Sequence, residues 1–306
     1  MNKRCALVTG PSGFVGLSLI PRLSEEFDKV VAVYHNDPLP YKISNVSQVS
    51  CDLSSFEQIG EIISNEKPSV IYNLSGILSD ECMRDPIRCF NVNVFGTQNL
   101  LELSRRNDVE LLVQMSSLSI FQKGMKEPVN DDSPLLLPKE PYGASKLYTE
   151  ALSNAYYYTY GLDTVCLRYA WIYGPGRKRG GTSFASKFIE DAYYKGEFTL
   201  PKATGDWIYI KDVINSLLLV TNSSRKRRSY IIKGDTKKTE DAYKILLKYL
   251  PNAKGKMIAL EGDSPATNWV ERVDDKAARL ELGWAPEFSL EKGISDFISY
   301  LRNSIN

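Results

Sequence analysis

A tyrosine and a lysine stand four residues apart in the segment PYGASKLYTE, as Tyr142 and Lys146. A spacing of four places both side chains on one face of a helix. An ammonium beside a phenol favours the phenolate and so lowers a pKa that is normally near ~10. We therefore predict that Tyr142 exchanges a proton with a substrate oxygen while hydride moves to or from a nicotinamide, whose ribose Lys146 would hold. The alternative is an exposed pair produced by chance in a chain with 18 tyrosines.

Two serines, Ser116 and Ser117, end the apolar segment LLVQMSS, which has the composition of a buried strand. Open α/β sheets build their sites at the carboxyl ends of strands. A hydroxyl at this position can hydrogen-bond a substrate oxygen and direct it toward Tyr142. The alternative is a polar strand end without function.

A glycine-rich loop follows the first apolar run in LVTGPSGFVG, with Gly10, Gly13 and Gly16 spaced three apart. Gly10 permits a tight turn, Gly13 lets the backbone approach a pyrophosphate, and Gly16 lets the next helix pack closely on the sheet. The N-terminus of that helix offers unpaired N–H groups and partial positive charge. Because a strand precedes the loop and a helix follows it, nucleotide binding is favoured over a plain turn.

The expected ribose-binding position does not distinguish NAD from NADP. The second strand ends in VAVYHND, so His35 and Asn36 stand where NAD enzymes often have an acid, and Asp37 follows slightly late. No arginine is present there to bind a 2′-phosphate. Asp52, in SCDLS, either accepts a hydrogen bond from the adenine amine or belongs to the start of a helix.

The elements that must position these residues alternate between apolar strands and amphipathic helices. Strands are predicted at CALVTG, KVVAVYH, VSQVSCD, SVIYNLSG, LLVQMSS and LDTVCLRY, and helices near 14–26, 55–65, 86–106 and 142–160. This alternation predicts an α/β fold with a Rossmann-type, doubly wound parallel sheet. We place a nucleotide-binding domain at 1–168, with later segments near 207–232 contributing. A smaller, partly interleaved substrate-binding region covers 169–306.

Composition excludes several classes of protein. The net charge of +1 argues against a nucleic-acid binder, and no apolar run reaches the ~18 residues of a membrane span. The basic run at 225–228 is interpreted as a solvated loop. The chain shows no signal-peptide pattern, and five scattered cysteines are interpreted as thiols in a reducing compartment, so a cytoplasmic location is expected. No zinc-ligand spacing is present, and we expect no metal.

Taken together, the motifs resemble the extended short-chain dehydrogenase/reductase family, which includes nucleotide-sugar epimerases, dehydratases and reductases. The resemblance covers nearly the whole chain, through TGPSGFVG, CDLS, NVNVFGTQNLLE, SSLSIF, YGASKLYTE, LRYAWIYGPG, WIYIKDV and LGWAPEFSLEKGI. It implies NAD or NADP as cofactor and a catalytic triad of Ser117, Tyr142 and Lys146.

The resemblance also implies roles for residues along the cofactor path. Asn93 would order the sheet edge, and residues 169–171 would close over the nicotinamide. The expected cofactor-binding residues are Gly10, Ser12, Gly13, Phe14, Val15, Gly16, His35, Asn36, Asp52, Leu53, Leu74, Ser75, Gly76, Asn93, Tyr142, Lys146, Tyr169 and Trp171. The expected substrate-binding residues are Ser117, Leu118, Trp171 and Arg177.

Departures from the family pattern narrow the chemistry. Leu118 and Ser119 stand where 4,6-dehydratases have an Asp-Glu pair, and the single histidine, His35, lies at the adenosine end. Dehydration and inversion beside a ketone are therefore disfavoured, which leaves simple redox or 4-epimerisation.

The expected substrate subsite also departs from that of the family. Trp171 replaces an asparagine that contacts sugar nucleotides, and Gly205 stands where an arginine is usual. Trp171 matches the SWVYG-type stretch of 4-keto-sugar reductases or is a core aromatic. Arg177 and Lys178 are phosphate ligands or part of an exposed loop.

Three functions agree with these residues. The first is a nucleotide-sugar 4-epimerase or 4-keto reductase. The second is a small-substrate dehydrogenase similar to the threonine dehydrogenase branch. The segment GGTSFASKF faintly resembles the Gly-Gly-Thr loop of that branch. The third is a non-catalytic NADP-binding regulatory subunit. Family resemblance further implies a homodimer through helices 86–106 and 142–160, with Tyr156, Tyr157 and Tyr158 offering an aromatic surface.

Overall fold

The computed structural model describes residues 4–260 and 269–304. The described strands, in chain order, are β1 (Cys5–Thr9), β2 (Lys29–Tyr34), β3 (Val46–Ser50), β4 (Val70–Asn73), β5 (Leu111–Ser117), β6 (Thr164–Tyr169), β7 (Trp171–Tyr173), β8 (Glu197–Pro201), β9 (Thr204–Tyr209), β10 (Ser229–Ile231), β11 (Asp235–Lys238) and β12 (Lys254–Ile258). The described α-helices are α1 (Phe14–Glu26), α2 (Phe56–Glu66), α3 (Ser79–Arg84), α4 (Pro86–Cys89), α5 (Gly96–Arg106), α6 (Pro141–Tyr160), α7 (Phe184–Lys195), α8 (Ile210–Asn222), α9 (Thr239–Tyr249), α10 (Lys276–Leu282) and α11 (Leu290–Asn303).

A seven-stranded parallel sheet in the order β3-β2-β1-β4-β5-β6-β10 forms the centre of the molecule, as the alternating pattern predicts. Every residue of β1 is buried because helices cover both faces of the sheet. Ala6 and Val8 face one core with α1 and α8, whereas Leu7 faces the other core with α2 and α5. The α/β, Rossmann-type fold predicted from the sequence is confirmed.

The edge strand β10 comes from late in the chain and pairs with β6, with Tyr230 opposite Leu167. Two small sheets, β11-β9-β7 and β12-β8, lie in the C-terminal half. The domain boundary at residue 168 stays a prediction.

The helix predicted at 86–106 is divided. After α4 the backbone makes one π-helical stretch, Phe90–Phe95, and then continues as α5. A π-turn accommodates extra residues and changes the direction of the side chains that follow. Here it directs Asn93 inward, where the residue is 3% exposed.

Two expectations from composition are wrong. Cys82 and Cys89 form a disulfide, with Cα atoms 4.9 Å apart, because the turn between α3 and α4 brings them together; only Cys5, Cys51 and Cys166 are free among the cysteines. The prediction of a solvated loop fails at two of the four residues of the basic run: the guanidinium groups of Arg225 and Arg228 are largely buried and both pair with Asp163, which precedes β6, whereas Lys226 is exposed. Strand pairing between β6 and β10 creates this contact.

Within the described ranges, no helix combines the length and the apolar character that crossing a membrane requires. The cytoplasmic location stays a prediction.

Candidate active site

The glycine loop connects β1 to α1 and has the shape of an anion cradle. Gly10 has a φ of +65°, and a Cβ on Gly16 would lie 2.4 Å from the carbonyl oxygen of Pro11. Gly13 is the N-cap of α1; among the described residues no side chain caps this helix, and its first turn holds no acid. Its first N–H groups are therefore available to a phosphate. The loop fits the pyrophosphate of a dinucleotide.

The three expected catalytic residues line one cavity of about 700 Å³ together with the glycine loop. Ser117 ends β5, whereas Tyr142 and Lys146 lie in the first two turns of α6. The Ser117 hydroxyl lies close enough to the phenol of Tyr142 to lower its pKa, and it accepts from Ser119 N at 3.1 Å. Lys146 Nζ lies 5.8 Å from the centre of the Tyr142 ring and donates to the carbonyl oxygen of Met115 at 2.8 Å.

The predicted effect of Lys146 on Tyr142 is wrong. Burial raises the pKa of Tyr142, while the Ser117 hydrogen bond and the Arg177 guanidinium act in the opposite direction. The Lys146 ammonium does not hold the pKa of the phenol down because it is directed at the Met115 carbonyl. Burial also lowers the pKa of Lys146 itself to about 8. Tyr142 is therefore a protonated phenol at neutral pH in this state.

The side chain of Asn93 holds the segment that follows β4 in place through hydrogen bonds. Its Oδ1 accepts from Ile77 N at 2.7 Å, and its Nδ2 donates to Ile77 O at 3.0 Å and to Ser145 Oγ at 3.1 Å. Asn93 thus connects this segment to α6. Leu74 and Gly76, from the same segment, line the cavity.

Sequence reasoning missed a buried polar network under the loop. Thr9 Oγ1 donates to Asn73 Oδ1 at 2.7 Å, and Asn73 Nδ2 donates to Thr97 and Gln114. Thr9 Oγ1 also accepts from Ser75 N at 3.2 Å. Polar residues at the ends of two predicted strands, Thr9 and Asn73, were the available signal in the sequence. The network fixes the distance between the strands on which the glycine loop rests.

The adenosine end is less well matched to the expected residues. The described cavity wall includes Asp37, but not His35, Asn36, Asp52 or Leu53. Asp52 Oδ1 accepts from the backbone N–H and from the hydroxyl of Ser54, and the backbone bond in particular lowers the pKa of Asp52. This geometry favours the helix-start interpretation of Asp52.

Arg177 lies in the cavity wall at the substrate end and not in an exposed loop. Its Nη2 donates to Thr182 Oγ1 at 2.7 Å, and its Nη1 donates to the Ile172 carbonyl. Burial lowers the pKa of Arg177 to about 10, so the group stays positive at neutral pH. Its guanidinium lies 5.9 Å from the centre of the Phe14 ring, which connects it to the glycine loop.

Trp171 lines the cavity and is also a core aromatic. The residue is 3% exposed and packs edge-on against Phe184, Trp207 and Trp269. A Cβ on Gly205 would lie 2.5 Å from the indole, so this ring fills the space opposite Gly205. Tyr169 also lines the cavity, but its hydroxyl is hydrogen-bonded with Ser216 at 2.8 Å.

Comparison with known proteins places this arrangement among enzymes. The sequence model of the NAD dependent epimerase/dehydratase family matches residues 6–232. The mitochondrial L-threonine 3-dehydrogenase of Sus scrofa is 26% identical over 98% of this chain and 83% of its own length. A putative UDP-glucose 4-epimerase of Methanocaldococcus jannaschii is 26% identical over 97% and 98%.

Solved structures show the same fold. The L-threonine dehydrogenase of Phytophthora infestans superposes with a TM-score of 0.90 at 23% identity, covering 97% of this chain and 99% of its own. The UDP-glucose 4-epimerase of Thermotoga maritima superposes with a TM-score of 0.87 at 24% identity, covering 99% and 100%.

Proposed function

Because the chain belongs to the NAD dependent epimerase/dehydratase family, a family of enzymes, we propose that it is a dehydrogenase of a small hydroxy acid. The substrate carries a carboxylate within two carbons of the hydroxyl-bearing carbon that is oxidised, and L-threonine is the first compound to test. The observation that carries this proposal is Arg177, a cation in the cavity wall close enough to Tyr142 to influence the pKa of the phenol.

The hydrogen bonds of the Arg177 guanidinium go to two neutral oxygens, those of Ile172 and Thr182. Its positive charge is therefore held in place without being neutralised by these partners. A planar guanidinium recognises a carboxylate through paired hydrogen bonds. Such a carboxylate would lie near Tyr142, which suits a substrate whose hydroxyl stands one or two carbons away.

The size of the substrate is limited by the aromatic group around Trp171. The family resemblance implies asparagine at position 171 and arginine at position 205 for an enzyme that binds a nucleotide sugar, whereas here the indole of Trp171 packs against Gly205. The cavity of about 700 Å³ also has to hold the cofactor. Both features favour a small substrate over a nucleotide sugar.

The reaction follows from the positions of the side chains. Arg177 binds the carboxylate, and Ser117 orients the reacting hydroxyl toward Tyr142. Tyr142 acts as general base only in its phenolate form, so it must first give up its own proton, and it then takes the proton of the substrate hydroxyl. The Ser117 hydroxyl and the Arg177 guanidinium both favour the phenolate. When bound in its oxidised form, the nicotinamide would supply the hydride acceptor and a positive charge that favours the phenolate. Lys146, whose Nζ lies 5.8 Å from the centre of the Tyr142 ring, would hold the ribose of the nicotinamide.

We infer that the cofactor is NAD and not NADP. Asp37 is the acid at the adenosine end of the described cavity wall. A carboxylate there accepts hydrogen bonds from ribose hydroxyls and repels a 2′-phosphate.

The test is NADH formation from L-threonine by the purified protein, with Arg177→Met beside it. We expect turnover with NAD and a rise in KM of about tenfold or more in the variant, because a charged hydrogen-bonded contact is lost. Micromolar binding of UDP to the cofactor-loaded protein, together with no oxidation of L-threonine, would contradict the proposal. That result would favour a 4-epimerase, the second candidate, which the similarity to UDP-glucose 4-epimerases supports.

We also propose a homodimer, although the supporting surface differs from the expected one. Tyr156 is buried and hydrogen-bonded to Glu102, so it offers no surface, whereas Tyr158 is exposed. Ile87 and Phe90 are 76% and 56% exposed on the adjoining helical segment. Light scattering should give twice the chain mass of 34.5 kDa, and Ile87→Glu should give the monomer.

A further inference from the structure

Three buried polar atoms at the substrate end lack hydrogen-bond partners within residues 4–260 and 269–304. They are Ser116 Oγ, Ser119 Oγ and Glu140 Oε2, and all three residues line the cavity. Ser116 is only 5% exposed. Because buried polar groups in folded proteins are nearly always paired, their convergence on one cavity indicates a ligand that supplies the missing bonds.

Glu140 is placed by the start of the catalytic helix. It is the N-cap of α6, and its carbonyl oxygen accepts from Ala144 N at 3.0 Å. One turn later Gly143 packs on the preceding segment, where a Cβ would lie 2.7 Å from the Ser119 carbonyl oxygen. The backbone of Glu140 is thus fixed relative to both Ser119 and Tyr142.

Tyr142 experiences two opposite charges from the cavity wall. The Arg177 guanidinium lowers the pKa of the phenol and the Glu140 carboxylate raises it, so both groups lie near the point where hydride and proton leave the substrate. The hydrogen bonds of Arg177 go to neutral oxygens, and one oxygen of Glu140 has no partner in the described structure. A ligand that carries a carboxylate and an ammonium beside its hydroxyl would satisfy both.

We propose that Glu140 binds the α-ammonium group of the substrate, with Ser119 Oγ as a second acceptor, and so restricts the enzyme to β-hydroxy-α-amino acids. This inference rests on the proposed dehydrogenase function. It assigns a specificity-determining residue to the position two before the catalytic tyrosine. An ammonium donates three N–H bonds, which suits a site made of one carboxylate and neighbouring hydroxyls. Burial, and next the charge of Asp80, raise the pKa of Glu140, and a bound ammonium would offset both.

The experiment compares L-threonine with racemic 3-hydroxybutyrate, which keeps the carboxylate and the hydroxyl but lacks the amine. Binding to NAD-loaded protein is measured by calorimetry, and KM and kcat by NADH formation. The wild type should prefer L-threonine by about tenfold or more in both Kd and KM, as expected for a charged hydrogen bond. Glu140→Gln should abolish that preference through KM, with a smaller change in kcat, and Glu140→Asp should restore part of it.

Glu81→Gln is the matched control, since it removes another carboxylate of the same cavity wall from α3. It should keep the preference for L-threonine. Equal preference in Glu140→Gln and the wild type would overturn the assignment while leaving the proposed function intact. So would a wild type that oxidises both compounds equally well, and this result decides the matter even when the variant does not fold. A wild type that binds and oxidises neither compound would overturn the proposed function, and the assignment with it.

Discussion

The cofactor end and the substrate end of the cavity are built in different ways. At the cofactor end, the glycine loop is one continuous stretch whose shape depends on backbone atoms and on the lack of side chains, as the 2.4 Å approach at Gly16 shows. The substrate end brings side chains together from separate segments, among them Ser119, Glu140, Trp171 and Arg177. The first kind of site is set by local sequence and steric limits, whereas the second exists only once the tertiary fold is complete.

The largest expected effect comes from the residue between the two ends. Tyr142→Phe removes the group that exchanges the proton, so kcat for L-threonine oxidation should fall by about 10²–10⁴-fold. NAD affinity should change little because the phenol does not form the cofactor loop. Steady-state kinetics and a calorimetric NAD titration measure the two effects separately. Normal turnover in this variant would refute the mechanism, and loss of NAD binding would show that the two ends cannot be separated.

A pair of glycine variants tests whether steric limits act at the cofactor end alone. Gly16→Ala places a Cβ 2.4 Å from the Pro11 carbonyl oxygen, and overpacking of this kind costs about 1–3 kcal/mol. We expect NAD affinity to fall by about ten- to a hundredfold as the loop shifts. In Gly181→Ala the nearest contact is 3.4 Å, to Ser79 Oγ, so NAD affinity should stay near the wild-type value. Similar losses in both variants would contradict the comparison.

The smallest effect concerns pH and the wall of the substrate end. Burial raises the pKa of Asp206, which lines the cavity, to about 7. Between the ordinary pKa of 3.8 and about 7 the unfolded chain loses this proton while the folded chain keeps it, so the contribution to stability falls as pH rises through that window. The change in Tm caused by Asp206→Asn should therefore be a few degrees more positive at pH 8 than at pH 4, and calorimetry measures it.

Asp132→Asn is a control of opposite sign. The hydrogen bond from Arg227 holds the pKa of Asp132 below its ordinary value, so the stability that Asp132 contributes is present at higher pH and is lost as the pH falls. This variant should lower Tm at pH 8 more than at pH 4. Parallel pH responses in the two variants would exclude burial of Asp206 as the cause.

The parts that the sequence alone predicts are those with a local physical signal. Continuous apolar runs predict the buried parallel strands, and the glycine spacing predicts the loop at 10–16. The spacing of Tyr142 and Lys146 places both on α6, but it does not show that the ammonium would turn to the Met115 carbonyl. That outcome depends on which carbonyl β5 presents to the helix.

The parts that the sequence does not predict depend on contacts between distant segments. Arg225 and Arg228 are buried because Asp163 faces them from the start of β6, and no pattern within 225–228 carries that information. In the sequence alone, nothing distinguishes Glu140 from an ordinary surface acid. Its role becomes visible only in the fold, where it lines the same cavity as Ser119, Tyr142 and Arg177. Trp171 is likewise explained only by the glycine at position 205.

Strand β10 is translated late in the chain, and this order affects how the nascent protein folds. The N-terminus of a chain emerges from the ribosome first, and domains tend to fold as their residues emerge. The outer edge of β6 remains unpaired until residues 229–231 have been translated, although everything else in the seven-stranded sheet is already available by residue 169. An unpaired strand edge invites association with other chains. The interval in which residues 170–228 are synthesised is thus the period when the nascent protein is most exposed to aggregation.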